Sequence, residues 1–175
     1  AKGSLEDLAA KLGVLQCCGV ARGDTSTNIC TLQMYSDGKH LPVDFLKGLG
    51  LRDRSYRGET WVDMPYYDEA GRVLTSRQRV AMTGKLRVKS PYKSHLHLYG
   101  LWKLQEARDA GYVIVVEGES DAQTLWLYGL PAVGVPGANN FQAEWASYFD
   151  GLTVYVWREP DVGGPMLEKR VGEPL

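Results

Sequence analysis

Three short apolar runs in the second half of the chain show no alternation with polar residues. They are Tyr112 to Val116, Ala132 to Val135 and Leu152 to Trp157. Such runs are typical of strands that are buried on both faces of a parallel sheet. Patterns that fit helices lie between them, from Ser120 to Gly129 and from Phe141 to Phe149. Strands that alternate with helices predict an α/β fold with a mostly parallel sheet flanked by helices.

The first of these strands stops abruptly at Glu117, and Gly118 lets the backbone turn. Ser120 is placed to cap the helix that follows. The carboxylate of Glu117 therefore lies at the carboxyl end of a central strand, where open α/β sheets bind their ligands. The alternative is an ordinary acidic residue beside a helix N-terminus, where a negative charge is favourable.

Two more acids follow the strand that ends at Trp157. Glu159 and Asp161 are two residues apart, so their side chains point the same way in an extended segment. Parallel strands joined by crossover helices end at one edge of the sheet, and we expect Glu117, Glu159 and Asp161 to share an acidic cleft. Three neighbouring carboxylates repel unless a proton or a metal neutralises them, and hard oxygen ligands suit Mg²⁺ or Mn²⁺.

The first half of the chain predicts short helices and a hairpin. The helices are expected at Ser4–Gly13, Thr31–His40, Pro42–Gly48 and, leading into the first parallel strand, Leu98–Ala110. Residues 60–67 and 73–82 predict a hairpin, with Gly71 supplying a positive φ in its turn. The segment from Gly84 to Ser94 is basic, contains a proline and is expected to be mobile.

Charge is distributed unevenly along a chain whose formal net charge is −1. Residues 72–93 contain seven Lys and Arg residues and no acid, whereas residues 109–161 contain eight acids and the single base Arg158. A basic surface for phosphates beside acids for a divalent metal is the division that a polymerase or nuclease needs. A solvated pair of basic strands is the alternative.

Arg77 and Arg79 are the most specific feature of the basic block. They are two residues apart on a predicted strand and so share a face. Two guanidinium groups side by side suit a phosphate backbone or a triphosphate. Lys85 and Lys93 extend the same basic segment.

Cysteine and histidine patterns exclude several other classes of site. The three cysteines and three histidines form neither C-x-x-C nor H-E-x-x-H spacing, so we expect reduced thiols, a cytoplasmic location and no zinc site. No segment is apolar enough to span a membrane, and no signal-peptide pattern is present.

These motifs together resemble the Toprim domain of DnaG-type primases from bacteria, phages and mobile elements, a domain also found in topoisomerases and some nucleases. The resemblance is carried by E-G-x-x-D from Glu117 to Asp121 and by acid-x-acid-x-x-Gly from Glu159 to Gly164. Leu98–Leu101 is similar to the segment that leads into the domain in primases. The usual D-x-D element reads E-P-D here. The likeness covers the chain well from Arg72 onward and weakly before it.

The resemblance implies synthesis of RNA primers on a single-stranded DNA template from nucleoside triphosphates. Metal would be bound by Glu117, Glu159 and Asp161, with Asp121 orienting the cluster from behind; Glu117 is alternatively a general acid or base. Template or nucleotide would be held by the basic residues Arg77, Arg79, Lys85 and Lys93. A replicative helicase remains open as a partner, and no membrane is involved.

The expected layout has three parts. Residues 1–58 form a helical segment, residues 59–110 a basic, partly antiparallel subdomain, and residues 111–175 a Toprim domain that stops before its last elements. Two other functions remain open: a metal-dependent Toprim nuclease, which uses the same acids, and a non-catalytic module that binds nucleic acid.

Overall fold

The computed structural model of the chain describes residues 29–84, 86–160 and 163–175. The expected helix Ser4–Gly13, Lys85 and Asp161 lie outside the described residues. The chain divides into two compact units. Among the described residues, one contains the chain from Ile29 to Pro65 together with Ser76–Pro91, and the other contains Tyr66–Thr75 and Tyr92–Leu175.

The first unit combines two short helices with antiparallel strands. Its helices are α1 (Leu32–Lys39) and α2 (Val43–Gly48). The antiparallel sheet has the strand order β1-β2-β3-β4 and consists of β1 (Arg52–Tyr56), β2 (Glu59–Tyr67), β3 (Val73–Arg79) and β4 (Val88–Lys89). The end of β2 and the start of β3 belong to the second unit. The helices predicted at Thr31–His40 and Pro42–Gly48 and the predicted hairpin of β2 and β3 are confirmed. Thr31 is the N-cap of α1, where its hydroxyl accepts a hydrogen bond from Met34 N, as expected of a threonine at this position.

The turn between β2 and β3 belongs to the second unit and is fixed by Asp68. Its Oδ1 accepts hydrogen bonds from the backbone N–H groups of Ala70 (3.0 Å) and Arg72 (2.9 Å). The bond from the Arg72 N–H is the largest cause of a lowered Asp68 pKa. Gly71 has φ +79°, a value that a glycine adopts without strain, so its predicted role is confirmed.

Two strands were not predicted. β1 has the sequence RDRSY and every residue in it is exposed, so it carries no apolar alternation. It forms because it pairs antiparallel with β2, from Arg52 opposite Asp63 to Tyr56 opposite Glu59. β4 lies in the segment expected to be mobile and pairs with the end of β3, with Gln78 opposite Lys89.

The second unit contains the parallel sheet. Its strands are β5 (Tyr112–Glu117), β6 (Ala132–Val135) and β7 (Thr153–Val156), and its helices are α3 (Leu104–Ala110), α4 (Glu119–Leu127) and α5 (Gly163–Gly172), with 3₁₀ segments at Leu101–Lys103 and Ala143–Phe149. The strand order is β6-β5-β7, and β5 pairs in parallel with both neighbours. The expected α/β class, with helices around a parallel sheet and an additional antiparallel sheet, is confirmed.

Two predicted helices differ from those observed. The helix expected from Leu98 begins at Leu101, because Tyr99 exchanges backbone hydrogen bonds with Gly134 (2.9 and 2.8 Å) and Gly100 has φ +107°. The helix expected from Phe141 is a 3₁₀ segment that begins at Ala143.

The core of the second unit lies on one face of the parallel sheet. Val113, Val115, Val133 and Val135 pack there in one cluster with residues of α3, α5 and the 3₁₀ segments, among them Leu104, Phe149 and Leu167. α4 buries Ala122, Leu125 and Trp126 outside this cluster. No helix in the described part of the chain is long and apolar enough to cross a bilayer.

Candidate active site at the carboxyl edge of the parallel sheet

The register of the sheet places Glu117 and Glu159 at the same edge. Glu117 is the last residue of the central strand β5. On one side the Gly118 N–H donates to Val135 O (2.8 Å), and on the other the Trp157 N–H donates to Val115 O (2.8 Å). Glu159 follows two residues after Trp157. Both acids therefore leave neighbouring parallel strands at their carboxyl ends, and Asp161, the third expected member, lies outside the described residues.

The loop after Glu117 depends on two glycines. Gly118 has φ +93° and ψ 174°, a region that is essentially restricted to glycine. Gly134 on β6 lies directly against it. A Cβ atom at Gly134 would meet Gly118 O at far less than a normal contact distance and Gly118 C at 3.0 Å. The absence of a side chain at both positions allows the loop to press against β6.

Glu119, which sequence reasoning missed, is the buried acid of this loop. It is the first residue of α4 and only 6% exposed. The Tyr66 hydroxyl donates a hydrogen bond of 2.6 Å to its Oε1. Tyr66 comes from the end of β2 and is itself buried. A second acid close to Glu117 is thus held in the interior by a hydroxyl that lies 53 residues away in the sequence.

A second buried tyrosine contacts the next turn of α4. Gln123 Nε2 donates to Tyr99 Oη (2.9 Å), and both residues are fully buried. Burial is the main cause of a raised Tyr99 pKa, which favours the neutral phenol. The Tyr66 and Tyr99 rings lie 4.9 Å apart, and Tyr99 also contacts the rings of Trp102 and Trp126.

The start of α4 differs from the prediction at Ser120. The N-cap is Gly118, and no side chain caps the helix there. Ser120 lies inside the first turn, so its predicted role as N-cap is wrong. Glu119 and Asp121 supply negative charge to this turn, which the helix dipole favours. Asp121 Oδ2 lies 3.8 Å from where a Cβ at Gly118 would be, close to the loop that carries Glu117.

The segment around Glu159 is packed against the start of α5. A Cβ at Gly164 would meet Glu159 N at 2.7 Å and Glu159 C at 2.9 Å, with Glu159 O closer still. Gly164, the glycine of the acid-x-acid-x-x-Gly element, therefore lets the helix approach the backbone of Glu159. Arg158 points to α5 as well, with its Nη1 3.4 Å from Glu168 Oε2.

The two described acids have the donor chemistry of a divalent cation site. Carboxylate oxygens are the ligands that Mg²⁺ and Mn²⁺ prefer, and Glu117 and Glu159 are both only partly buried. Among residues 29–84, 86–160 and 163–175, no three His, Cys, Asp or Glu side chains come close enough together to hold an ion. The third acid of the expected set, Asp161, falls outside those ranges.

The predicted basic residues differ in their surroundings. Arg77 is partly buried, and its Nε donates to Ser90 Oγ (3.1 Å). Arg79 is only 8% exposed. Its guanidinium lies over the Tyr35 ring (5.8 Å) and donates to Met82 O (3.2 Å), so it stabilises the interior of the first unit and does not stand beside Arg77 on an open face.

Lys93 and Lys85 complete the predicted basic set. Lys93 is exposed, has φ +58°, and places its Nζ 5.3 Å from the centre of the exposed Tyr92 ring. Lys85 is not among the described residues.

Solved structures similar to this chain are primase domains. The primase fragment of the bacteriophage T7 primase-helicase protein aligns with a TM-score of 0.60 and 18% identity, over 90% of this chain and 70% of that one. A DNA primase domain from Pseudomonas aeruginosa aligns with a TM-score of 0.55 and 26% identity, over 75% of this chain and 45% of that one. A DnaG primase catalytic domain bound to single-stranded DNA aligns with a TM-score of 0.58 and 20% identity, over 75% and 55%.

These likenesses show that the chain has the fold of primase catalytic domains. The chain spans about half the length of the second and third of these structures. No protein-family model matches it, and no curated protein does.

Proposed function

We propose that this chain is the nucleotidyl-transfer part of a DnaG-type primase and that its second unit is a Toprim domain. Its substrates are a single-stranded DNA template and nucleoside triphosphates, and its product is an RNA primer. The observation that carries the proposal is the placement of Glu117 and Glu159 at the carboxyl ends of adjacent parallel strands, in a fold shared with primase catalytic domains.

Mg²⁺ or Mn²⁺ would be held by Glu117, Glu159 and Asp161. When bound, such an ion neutralises the charge of the triphosphate and lowers the pKa of the attacking 3′-hydroxyl. Asp121 supports the cluster from the first turn of α4. Glu117 has an alternative role as the general acid or base, since its carboxylate is only partly buried at the end of β5.

Template or incoming nucleotide would be bound by the basic residues Arg77, Lys85 and Lys93, with Arg79 supporting them from the interior. Arg77 is the strongest of these candidates among the described residues, because it lies on β3 and is only partly buried. The similar T7 fragment comes from a primase-helicase protein, and we extend the proposal to association with a replicative helicase.

A primer-synthesis assay tests this function directly. Single-stranded template, labelled nucleoside triphosphates and Mg²⁺ or Mn²⁺ should give short RNA products with the parent protein and none with Glu117→Gln. The exposed acid Glu144 offers a matched control, and Glu144→Gln should leave product yield unchanged. Equal yields from the parent and Glu117→Gln would contradict the proposed site.

The same assay separates the two other functions. Shortening of labelled DNA by the parent in Mn²⁺ without nucleotides would identify a nuclease. DNA binding without either product would identify a non-catalytic module.

A further inference from the structure

The burial of the Glu119 carboxylate is energetically unfavourable and calls for a physical explanation. Taking a carboxylate out of water is costly, and an apolar side chain of similar size would often serve stability equally well. Glu119 is nevertheless 6% exposed and accepts a 2.6 Å hydrogen bond from Tyr66. A directional hydrogen bond at the start of α4 fixes the geometry of the backbone that leads into this helix. Apolar packing would fix that geometry less precisely.

That backbone belongs to the loop after Glu117. Gly118 has no side chain with which to hold its own conformation, so the loop depends on contacts from its neighbours. On one side the Gly118 N–H donates to Val135 O (2.8 Å), and its carbonyl packs against Gly134. On the other side the Tyr66 hydroxyl holds Glu119. Glu117 lies directly before Gly118 and Glu119. The contacts that hold these two residues therefore also determine where the Glu117 carboxylate lies.

We infer that Tyr66 and Glu119 form a positioning pair that fixes the Glu117–Gly118 loop and so holds the Glu117 carboxylate in place for a divalent cation. The effect on the cation rests on the proposed function, whereas the effect on the loop does not. Neither residue is catalytic: each acts through the backbone of the loop.

The chain offers a matched control in Tyr99. Its hydroxyl is bonded to Gln123, one turn further along α4 and at a similar depth. Tyr66→Phe and Tyr99→Phe each delete one hydroxyl from a buried tyrosine that contacts the same helix. Both should lower the thermal midpoint to a similar extent, but only the Tyr66 change touches the loop.

Hydrogen exchange in the metal-free protein tests the positioning itself. Tyr66→Phe should raise the exchange rates of the amides from Gly118 to Ala122 by roughly tenfold, the effect of losing one hydrogen bond to a charged group. Tyr99→Phe should leave those amides within about twofold of the parent. Similar rates in the parent and Tyr66→Phe, or an equal rise in both variants, would overturn the inference.

Mn²⁺ affinity, followed by electron paramagnetic resonance, tests the consequence. Tyr66→Phe and Glu119→Leu should bind Mn²⁺ several-fold more weakly than Tyr99→Phe does, while Glu119→Gln, whose amide oxygen can still accept from Tyr66, should stay near the parent. A loss in Glu119→Gln as large as in Glu119→Leu would show that charge, not the hydrogen bond, is responsible and would overturn the pair. A parent that binds no Mn²⁺ would refute the proposed function, and the exchange experiment would still decide the inference.

Discussion

Replacing Gly134 with alanine tests how tightly the Glu117 loop is packed. The new Cβ would overlap Gly118 O and lie 3.0 Å from Gly118 C, and both are backbone atoms that cannot rotate away. β6 cannot retreat easily, because it is paired in register with β5 and Gly134 also exchanges two hydrogen bonds with Tyr99. The substitution therefore pushes on the loop itself.

The expected cost is that of overpacking a close-packed interior, about 1–3 kcal/mol. For a chain of this length each kcal/mol corresponds to a fall of roughly 2–4 °C in the thermal midpoint. Because the displaced atoms belong to the loop after Glu117, Mn²⁺ affinity should fall as well, even at temperatures where the variant is fully folded.

Circular dichroism melts and Mn²⁺ titrations measure the two effects. Gly172 is the control, since a Cβ at this position at the end of α5 would meet nothing within 4 Å. Gly172→Ala should be as stable as the parent or slightly more so, because alanine favours a helix over glycine by up to about 1 kcal/mol. A Gly134→Ala protein with an unchanged melt and unchanged Mn²⁺ affinity would refute the packing argument.

Three further predictions follow from the site and the basic strand. The logarithm of the affinity for single-stranded DNA should fall by about 0.7 per log unit of salt concentration for each phosphate contacted. Arg77→Ala should flatten that slope by about one contact, whereas Arg79→Ala should chiefly lower the thermal midpoint. An unchanged salt slope in Arg77→Ala would remove Arg77 from the interface. Glu159→Asp should shift activity between Mg²⁺ and Mn²⁺, because the two ions differ in their tolerance of distorted geometry. Asp161→Asn should abolish most activity. Full activity of Glu159→Ala would show that E-P-D is not a metal-binding pair. Gly164→Ala should lower both the thermal midpoint and the activity, because the added Cβ meets the Glu159 backbone. An unchanged midpoint together with an unchanged kcat would contradict that contact.

The parallel sheet was predictable because its signal is local. The apolar run from Tyr112, the abrupt stop at Glu117 and the glycine after it specify a buried strand and the turn that follows. The same reasoning placed Glu159 after β7, since parallel strands must end at a common edge. In both cases the residues that form the pattern lie within a few residues of the structural element that they predict.

The parts that were missed depend on distant partners. Glu119 reads as a solvated acid at a helix start, and only the fold brings Tyr66 to it across 53 residues. Arg79 shares the alternation of Arg77, but its burial depends on Tyr35 in α1. β1 is polar throughout and forms through its ladder with β2. In the sequence Gly134 looks like an ordinary strand glycine, and only the fold brings Gly118 against it.

Metal binding by Glu117 is tested most directly by a Mn²⁺ titration of the parent protein and of Glu117→Gln, followed by electron paramagnetic resonance. We expect a saturable site in the parent and a loss of at least tenfold in affinity in the variant, because a neutral amide replaces a carboxylate ligand at the end of β5. Circular dichroism should show the same fold in both. Equal affinity in the two proteins would contradict the claim that Glu117 binds the metal at the carboxyl edge of this sheet.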